Sequence, residues 1–181
     1  MAEQTPQLSD EFRDFLIEAK QNGYGTKNAR KMSIPSGGTE IVYQDGDWLY
    51  TDNYVGGDPF VGYEHVSYKR KNGKEFWLPI WGMSYRGQVL NPDFSSSVFS
   101  ALNHVLAKPE YEMPIRGPFS DTWKDKGYRL QYDGTLEKFM ATERFHNGED
   151  VYLAHFLGGL ANRQAWEDIE DKPWIEIMDN A

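Results

Sequence analysis

The chain has no cysteine. That removes disulfides, thiol nucleophiles and cysteine-held zinc or iron–sulfur centres, and it fits a reducing compartment. Long apolar runs are also missing: nothing approaches the roughly 18 apolar residues of a membrane span. The stretch from Met1 to Phe12 lacks the basic-then-apolar order of a secretory signal. A cytoplasmic protein without membrane contact is expected. Positive charge is scarce, with 19 Lys and Arg against 28 Asp and Glu and a net charge of −9. Binding to DNA or RNA draws on a cationic surface, so no direct nucleic-acid partner is expected. Such an acidic surface is ordinary for soluble bacterial proteins. Two basic clusters, Lys27-Arg30-Lys31 and Lys69-Arg70-Lys71-Lys74, read as solvated side chains, the second at a hairpin tip.

Catalytic signatures are absent as well. There is no G-x-S-x-G serine elbow and no P-loop, and Gly23-Tyr24-Gly25 lacks the strand–helix context of a dinucleotide site. The histidines show neither H-E-x-x-H nor H-x-x-x-H spacing, and the tail carboxylates Glu167, Asp168, Glu170 and Asp171 lack the calcium-loop pattern. No metal and no cofactor is expected.

What the chain does have is aromatic residues, 15% of the total, and turn dipeptides. Asp45-Gly46, Gly56-Gly57, Asn72-Gly73, Asp133-Gly134 and Asn147-Gly148 each separate runs of aromatic and β-branched residues. Asn-Gly and Asp-Gly accept positive φ at both centres of a type I′ turn, so they predict tight antiparallel hairpins. Strands are predicted at about 39–44, 47–54, 59–70 and 75–86, and again at about 127–132, 135–146 and 149–158. A helix is predicted from Asp10, with Phe12, Phe15, Leu16 and Ala19 on one stripe, a Ser9 or Asp10 cap and a stop at Asn22-Gly23. A second helix carries Val98, Phe99, Leu102, Val105 and Leu106 after a cap at Ser95, Ser96 or Ser97 and stops at Lys108-Pro109. Residues 23–38 and 109–126 read as long connections.

The two longest hairpins look alike. Phe60 to Glu64 resembles Phe139 to Glu143, and Pro79 to Gly87 aligns without gaps on Asp150 to Gly158. With two-residue loops at 72–73 and 147–148, Glu64 would face Trp81, Phe60 would face Tyr85, Glu143 would face Tyr152 and Phe139 would face Phe156. The resulting expectation is an α+β fold. Antiparallel sheet forms from two pseudo-repeated α-β-β-β units, about 10–87 and 95–160, with helices packed on one face. Residues 10–160 would be one domain. The remainder, 161–181, is an acidic tail that either docks as a short helix through Trp166 and Trp174 or stays partly disordered.

Several strings match a known family in order: Phe15 to Lys20, Tyr43 to Gly57, Phe60 to Glu64, Pro79 to Gly87, Arg116-Gly117-Pro118, and Gly134 to Phe139 followed by Glu143, Tyr152 and Gly158-Gly159. The chain resembles the DUF5680 family over about residues 12–160. That family is a domain of unknown function, found alone or behind an XRE-type helix-turn-helix. The resemblance implies a sensory or effector-binding role. The residues before Asp10 leave no room for a helix-turn-helix, so regulation of DNA by this chain itself is not expected.

Candidate site residues follow from these patterns. Glu64 and Glu143, each beside an aromatic, are either a general acid/base pair, anchors for a polar ligand, or carboxylates satisfied within the sheet. Tyr50, Asp52 and Tyr54 alternate onto one strand face with Trp48, which is either a stacking platform for a planar ligand or one face of the core. Trp81, Tyr85 and Tyr152 accompany the glutamates. Of the histidines, His65 turns away from Glu64, and His155 is the first to mutate. Three functions are open: a non-enzymatic small-molecule-binding or sensory module, a hydrolase- or isomerase-type enzyme using Glu64 and Glu143, and a protein-interaction module or homo-oligomer.

Overall fold

A computed structural model describes residues 7–25, 30–35, 37–72, 74–161 and 173–176. The elements run β1 (Gln7–Leu8), α1 (Asp10–Gly25), β2 (Arg30–Ser33), β3 (Thr39–Asp45), β4 (Trp48–Gly56), β5 (Phe60–Asn72) and β6 (Lys74–Val89). A short 3-10 turn, Pro92–Phe94, leads into α2 (Ser95–Leu106), followed by β7 (Ser120–Trp123), β8 (Lys126–Thr135), β9 (Lys138–Asn147), β10 (Glu149–Leu160) and β11 (Ile175–Glu176). The fold is α+β at the coarse level expected, but the sheet dominates.

One antiparallel sheet holds nine strands in the order β2-β3-β4-β5-β6-β10-β9-β8-β7. It is two meanders joined where β6 pairs with β10, Phe156 opposite Tyr85. The period-two pattern puts Trp48, Tyr50, Val66, Trp81, Met83, Tyr85, Tyr128, Phe139, Phe145, Tyr152 and Phe156 on a buried face. The alternate positions Val61, Tyr63, Met140 and Leu157 remain exposed on the other face. Helix α1 starts where the Ser9 hydroxyl accepts the Phe12 amide at 3.2 Å. Its stripe of Phe12, Phe15, Leu16 and Ala19 is buried in the same core as the sheet, with the Phe12 ring 6.0 Å from Trp48 and 6.1 Å from Trp81. Helix α2 buries Val98, Ala101, Leu102, Val105 and Leu106. No serine side chain caps it, contrary to expectation; Phe94 holds the cap position.

Three local expectations need correction. The connection 23–38 contains the last turn of α1 and the edge strand β2, Arg30 opposite Val42; residues 26–29, including Lys27, lie outside the described residues. The connection 109–126 contains β7. And Asp133-Gly134 is not a hairpin apex. The β8–β9 turn is Leu136-Glu137, closed by Thr135 opposite Lys138, while Gly134 sits inside the strand at φ 101°. Tertiary contacts override turn propensity there. Leu136 is buried, its carbonyl accepts the Trp81 indole N–H at 3.0 Å, and the Glu137 carboxylate accepts the Leu8 amide at 2.6 Å.

The hairpin registers also differ from expectation, by the same route in both. Asn72 pairs with Lys74 around Gly73, itself outside the described residues; Asn147 pairs with Glu149 around Gly148. One extra residue then enters the second strand of each, Ile80 and Val151, both buried. The partners become Glu64 with Met83 and Phe60 with Gly87, and Glu143 with Ala154 and Phe139 with Gly158. Beyond the inserted residue the total slip is even, so side chains there keep their expected face while their partner changes; between apex and insertion the slip is one residue, and Leu78, not Trp77, packs on the core opposite Tyr68.

In the described part of the tail, Trp174 and a short strand dock onto the rest of the chain. Trp174 is buried with its ring 5.0 Å from Tyr68, its carbonyl accepts the Ser9 amide at 2.8 Å, and β11 pairs with β1. Trp166 and the carboxylates at 167–171 lie outside the described residues. No described helix is long and apolar enough to cross a membrane.

If tertiary anchoring sets the β8–β9 turn, then replacing Leu136-Glu137 by a stronger turn sequence should harm the fold. Leu136→Asn with Glu137→Gly is expected to lose about 2–5 kcal/mol, as for removal of a buried leucine. Urea denaturation measures it; parental stability would show that local conformation holds the turn.

Candidate functional site

Strands β4 and β5 place Asp52 directly opposite Glu64, both on the buried face at 1% and 0% exposure. Like charges facing each other across strands repel, and burial in low dielectric sharpens the cost. Helix α1 answers with Lys20. It lies two turns beyond Phe12 on the apolar stripe, which carries its side chain into the core. Its ammonium is ion-paired to Glu64 Oε2 and stands 5.5 Å from the Tyr50 ring centroid. Burial lowers the Lys20 pKa, opposed by the attraction of Glu64 and then of Asp52.

A second buried carboxylate lies in the other meander. Glu143 on β9 is flanked by β8 and β10, with Leu130 and Ala154 opposite it. Tyr128 and Tyr152 sit two residues along those strands, so their hydroxyls reach Glu143 diagonally, at 2.8 and 2.9 Å. From the connection before β7, Arg116 adds a two-pronged ion pair, Nε at 3.2 Å to Oε1 and Nη2 at 3.1 Å to Oε2. Glu143 thus accepts four hydrogen bonds. The guanidinium also packs over the Phe156 ring at 5.1 Å.

Between these clusters lies a cleft of about 510 Å³, walled by β3–β5 on one side and α2 on the other. Asp52, Tyr85 and Arg116 line its buried end; Tyr54, Phe60 and Phe99 give it aromatic walls, Leu102 and Leu106 apolar ones, and Lys31 belongs to its exposed rim. Phe60 is 6.4 Å from Phe99 and 6.0 Å from Tyr85. The Tyr85 hydroxyl donates to Asp52 Oδ1 at 2.6 Å. That reach depends on Gly62, the cross-strand partner of Tyr85: a Cβ there would lie 2.3 Å from the Tyr85 ring and hydroxyl.

The sequence-selected residues therefore divide. Asp52, Tyr54 and Tyr85 share the cleft. Tyr50, Glu64 and Trp81 are core residues beside it. Glu143 and Tyr152 form the second cluster, linked to the cleft through Arg116. His155 is exposed on the opposite face, 3.4 Å from Thr142 Oγ1. His65 also faces away, bonded to Thr51 at 2.8 Å and stacked on Tyr63, and burial lowers its pKa. Sequence reading missed Lys20, Phe99, Arg116 and Tyr128 as site residues. Lys20 had a signal: it falls on the helical stripe of Phe12 and Leu16. Phe99 had one too, at the edge of the α2 stripe. Arg116 stood out only within the string Arg116-Gly117-Pro118, since the connection carrying it has no periodicity. Among the described residues, no three acidic or histidine side chains gather as a metal-binding group.

A family model described as "Domain of unknown function (DUF5680)" matches residues 52–161, more than half of the chain, and the chain belongs to that family. No curated protein and no solved structure matches it.

Two measurements test the buried charges. Lys20→Met alone leaves Glu64 buried opposite Asp52 without its cation and should cost about 3–5 kcal/mol, whereas Lys20→Met with Glu64→Leu should recover most of that loss, because a buried pair is replaceable by apolar groups. Equal stability of the single and double variants would refute this account of the pair.

The second measurement is alkaline stability. Burial first, then nearby carboxylates, raise the pKa of Tyr85, Tyr128 and Tyr152 above the ordinary 10.0. Their stabilising contribution is complete below about pH 10 and is lost as pH rises further, each by about 1.4 kcal/mol per pH unit. Lys20 acts with the opposite sign below 10.5, because its folded pKa is lowered. Tyrosinate absorbance should therefore show these three ionising together with loss of circular dichroism above pH 10. Ionisation of every tyrosine in a folded protein would contradict the geometry.

Proposed function

We propose that this member of the DUF5680 family is a non-enzymatic small-molecule-binding or sensory module whose site is the cleft between β3–β5 and α2. The observation that carries the reading is the cleft of about 510 Å³ itself. It falls within the size range of small-molecule sites and combines apolar walls with a few fixed polar groups, as such sites do. Asp52 is oriented by Tyr85 and Arg116 by Glu143, so the polar groups are positioned before a ligand arrives. That lowers the ordering cost of binding.

The enzyme reading, with Glu64 and Glu143 as acid and base, draws less support. A general base must reach a substrate proton, and four donors already occupy Glu143 while Lys20 engages Glu64. Neither glutamate lines the cleft. Both are better read as the supports of a binding site.

The two hairpins are best read as pseudo-repeated halves. Each has a phenylalanine over a cross-strand glycine, Phe60 over Gly87 and Phe139 over Gly158. Each has a buried glutamate four residues later and a single inserted residue on the return strand. In this reading the halves diverged in how the glutamate is answered: by a lysine from α1 in one, by an arginine and two tyrosines in the other.

A thermal-shift screen with metabolites tests the binding role. A ligand present at about a hundred times its Kd adds roughly 2.7 kcal/mol of stability, and Phe99→Ala, which strips one wall, should weaken that shift without unfolding the protein. A screen in which no compound raises Tm, or one whose hits shift Phe99→Ala as much as the parent, would remove the cleft from consideration.

A further inference from the structure

Beyond the cleft, we infer that the open face of the sheet is a docking surface for an acidic protein segment that carries apolar side chains. The first observation is a continuous row across four strands. Tyr63 on β5 stands opposite Ser84 on β6, Ser84 opposite Leu157 on β10, and Leu157 opposite Met140 on β9. Tyr63, Leu157 and Met140 are 44%, 59% and 60% exposed, and Val61, two residues before Tyr63 on the same strand, is 49% exposed. Strands lie about 4.8 Å apart, so the row spans roughly 14 Å. Exposed apolar side chains scattered singly are ordinary, whereas a contiguous patch marks a contact surface.

The second observation is a seat within that face. Gly82 and Gly159 stand opposite each other and help to leave a shallow hollow of about 460 Å³ bordered by Tyr63, Leu157 and Lys138. Glu137 borders it too, with its carboxylate accepting the Leu8 amide. The hollow has room for an apolar side chain of a partner, with Lys138 at its border.

The third observation selects the partner's charge. Although the chain carries a net charge of −9, cations flank the row. Arg86, Arg129, Lys138 and Arg144 alternate along their strands with buried residues, so they share the open face. Arg129 and Arg144 stand directly opposite one another, a repulsive pair, and one carboxylate answers them, Asp150 at 2.5 Å from Arg144. Arg86 stands opposite His155 and donates to Gln88 at 3.4 Å. Asp133 and Glu40 lie beyond the two ends of the row. A second copy laid on this face by two-fold symmetry would set like patch on like patch, cations against cations. A long polyanion, such as nucleic acid or an anionic membrane, would meet the field of the whole acidic molecule. A short segment feels chiefly the charges within a Debye length, about 8 Å at physiological salt. Carboxylates around apolar side chains therefore fit both the row and its flanks.

Three blocked peptides of one amphipathic pattern test this, with leucine on one stripe and Glu, Gln or Lys elsewhere. They are titrated into the full chain at neutral pH and followed by protein-observed NMR. In 50 mM NaCl the Glu peptide is expected to bind about tenfold tighter than the Gln peptide, as several exposed ion pairs of modest strength acting together would give, and the Lys peptide weakest. The shifts should fall on the open face, and the ratio should shrink toward one in 0.5 M NaCl. Arg86→Gln with Arg129→Gln should bring the Glu and Gln peptides together, while Leu157→Gln with Met140→Gln should weaken both alike. A Gln or Lys peptide binding as tightly as the Glu peptide, shifts confined to other surfaces, or no binding by any peptide would overturn the proposal. So would tighter binding of dT12 or phosphatidylglycerol vesicles to this face. A light-scattering mass above 20.9 kDa that Leu157→Gln with Met140→Gln returns to the monomer would overturn it in favour of a second copy. The cleft lies on the other side of the sheet, so its binding role stands or falls separately.

Discussion

The structure turns on one constraint: the buried face of the sheet contains carboxylates. Asp52, Glu64 and Glu143 are each at most 1% exposed, and Asp52 and Glu64 stand opposite one another. An ionised group in such a place is sustained only by charge and hydrogen bonds delivered to it. Everything else on that face follows from who delivers them. Lys20 comes from the first helix, Arg116 from an irregular connection after the second, and tyrosine hydroxyls from strands on either side.

These partners do not add net stability in proportion to their number. A buried pair costs so much desolvation that an apolar replacement is often as stable. Their contribution is arrangement. Glu143 meets Tyr128, Tyr152 and Arg116 together only if β8, β9 and β10 keep their observed alignment; a one-residue slip would turn its side chain to the other face. Likewise Lys20 reaches Glu64 only when α1 lies with its Phe12 stripe against Trp48 and Trp81. The ion pairs thereby fix the seating of one helix and of the connection over a sheet whose aromatic surface could otherwise accept several. That seating in turn defines the cleft, since Arg116 and α2 form much of its wall.

Turn chemistry and periodicity carried a good part of this fold in the sequence. Strand order within each meander, the face of most aromatics (Trp77 excepted) and both helix stripes could be read, because period two and period 3.6 depend only on local spacing. Exact partners could not. A one-residue apex at Gly148 and an inserted Val151 shift the register without any local signature, and Leu136-Glu137 forms a turn because Trp81 and Leu8 bind it from elsewhere. The two glutamates were found as unusual residues, yet their roles were hidden, because Lys20 and Arg116 are distant in the chain. Asp52 was the most informative single residue. An aspartate alternating with Trp48, Tyr50 and Tyr54 demanded a partner, and Tyr85 is one.

The relation between the supports and the cleft explains why the glutamates matter without touching a ligand. Asp52 can sit at a cleft wall as a carboxylate because Lys20 draws off the repulsion of Glu64, and Tyr85 can orient it because Gly62 leaves space for the ring. Arg116 borders the same space while Glu143 holds two prongs of its guanidinium, and its charge still acts on Lys20 and Tyr85. Removing either glutamate would therefore alter the charge that a ligand meets, from a position outside the cleft. The charge character of the site is set one layer below its surface, by which cation is neutralised and by how much.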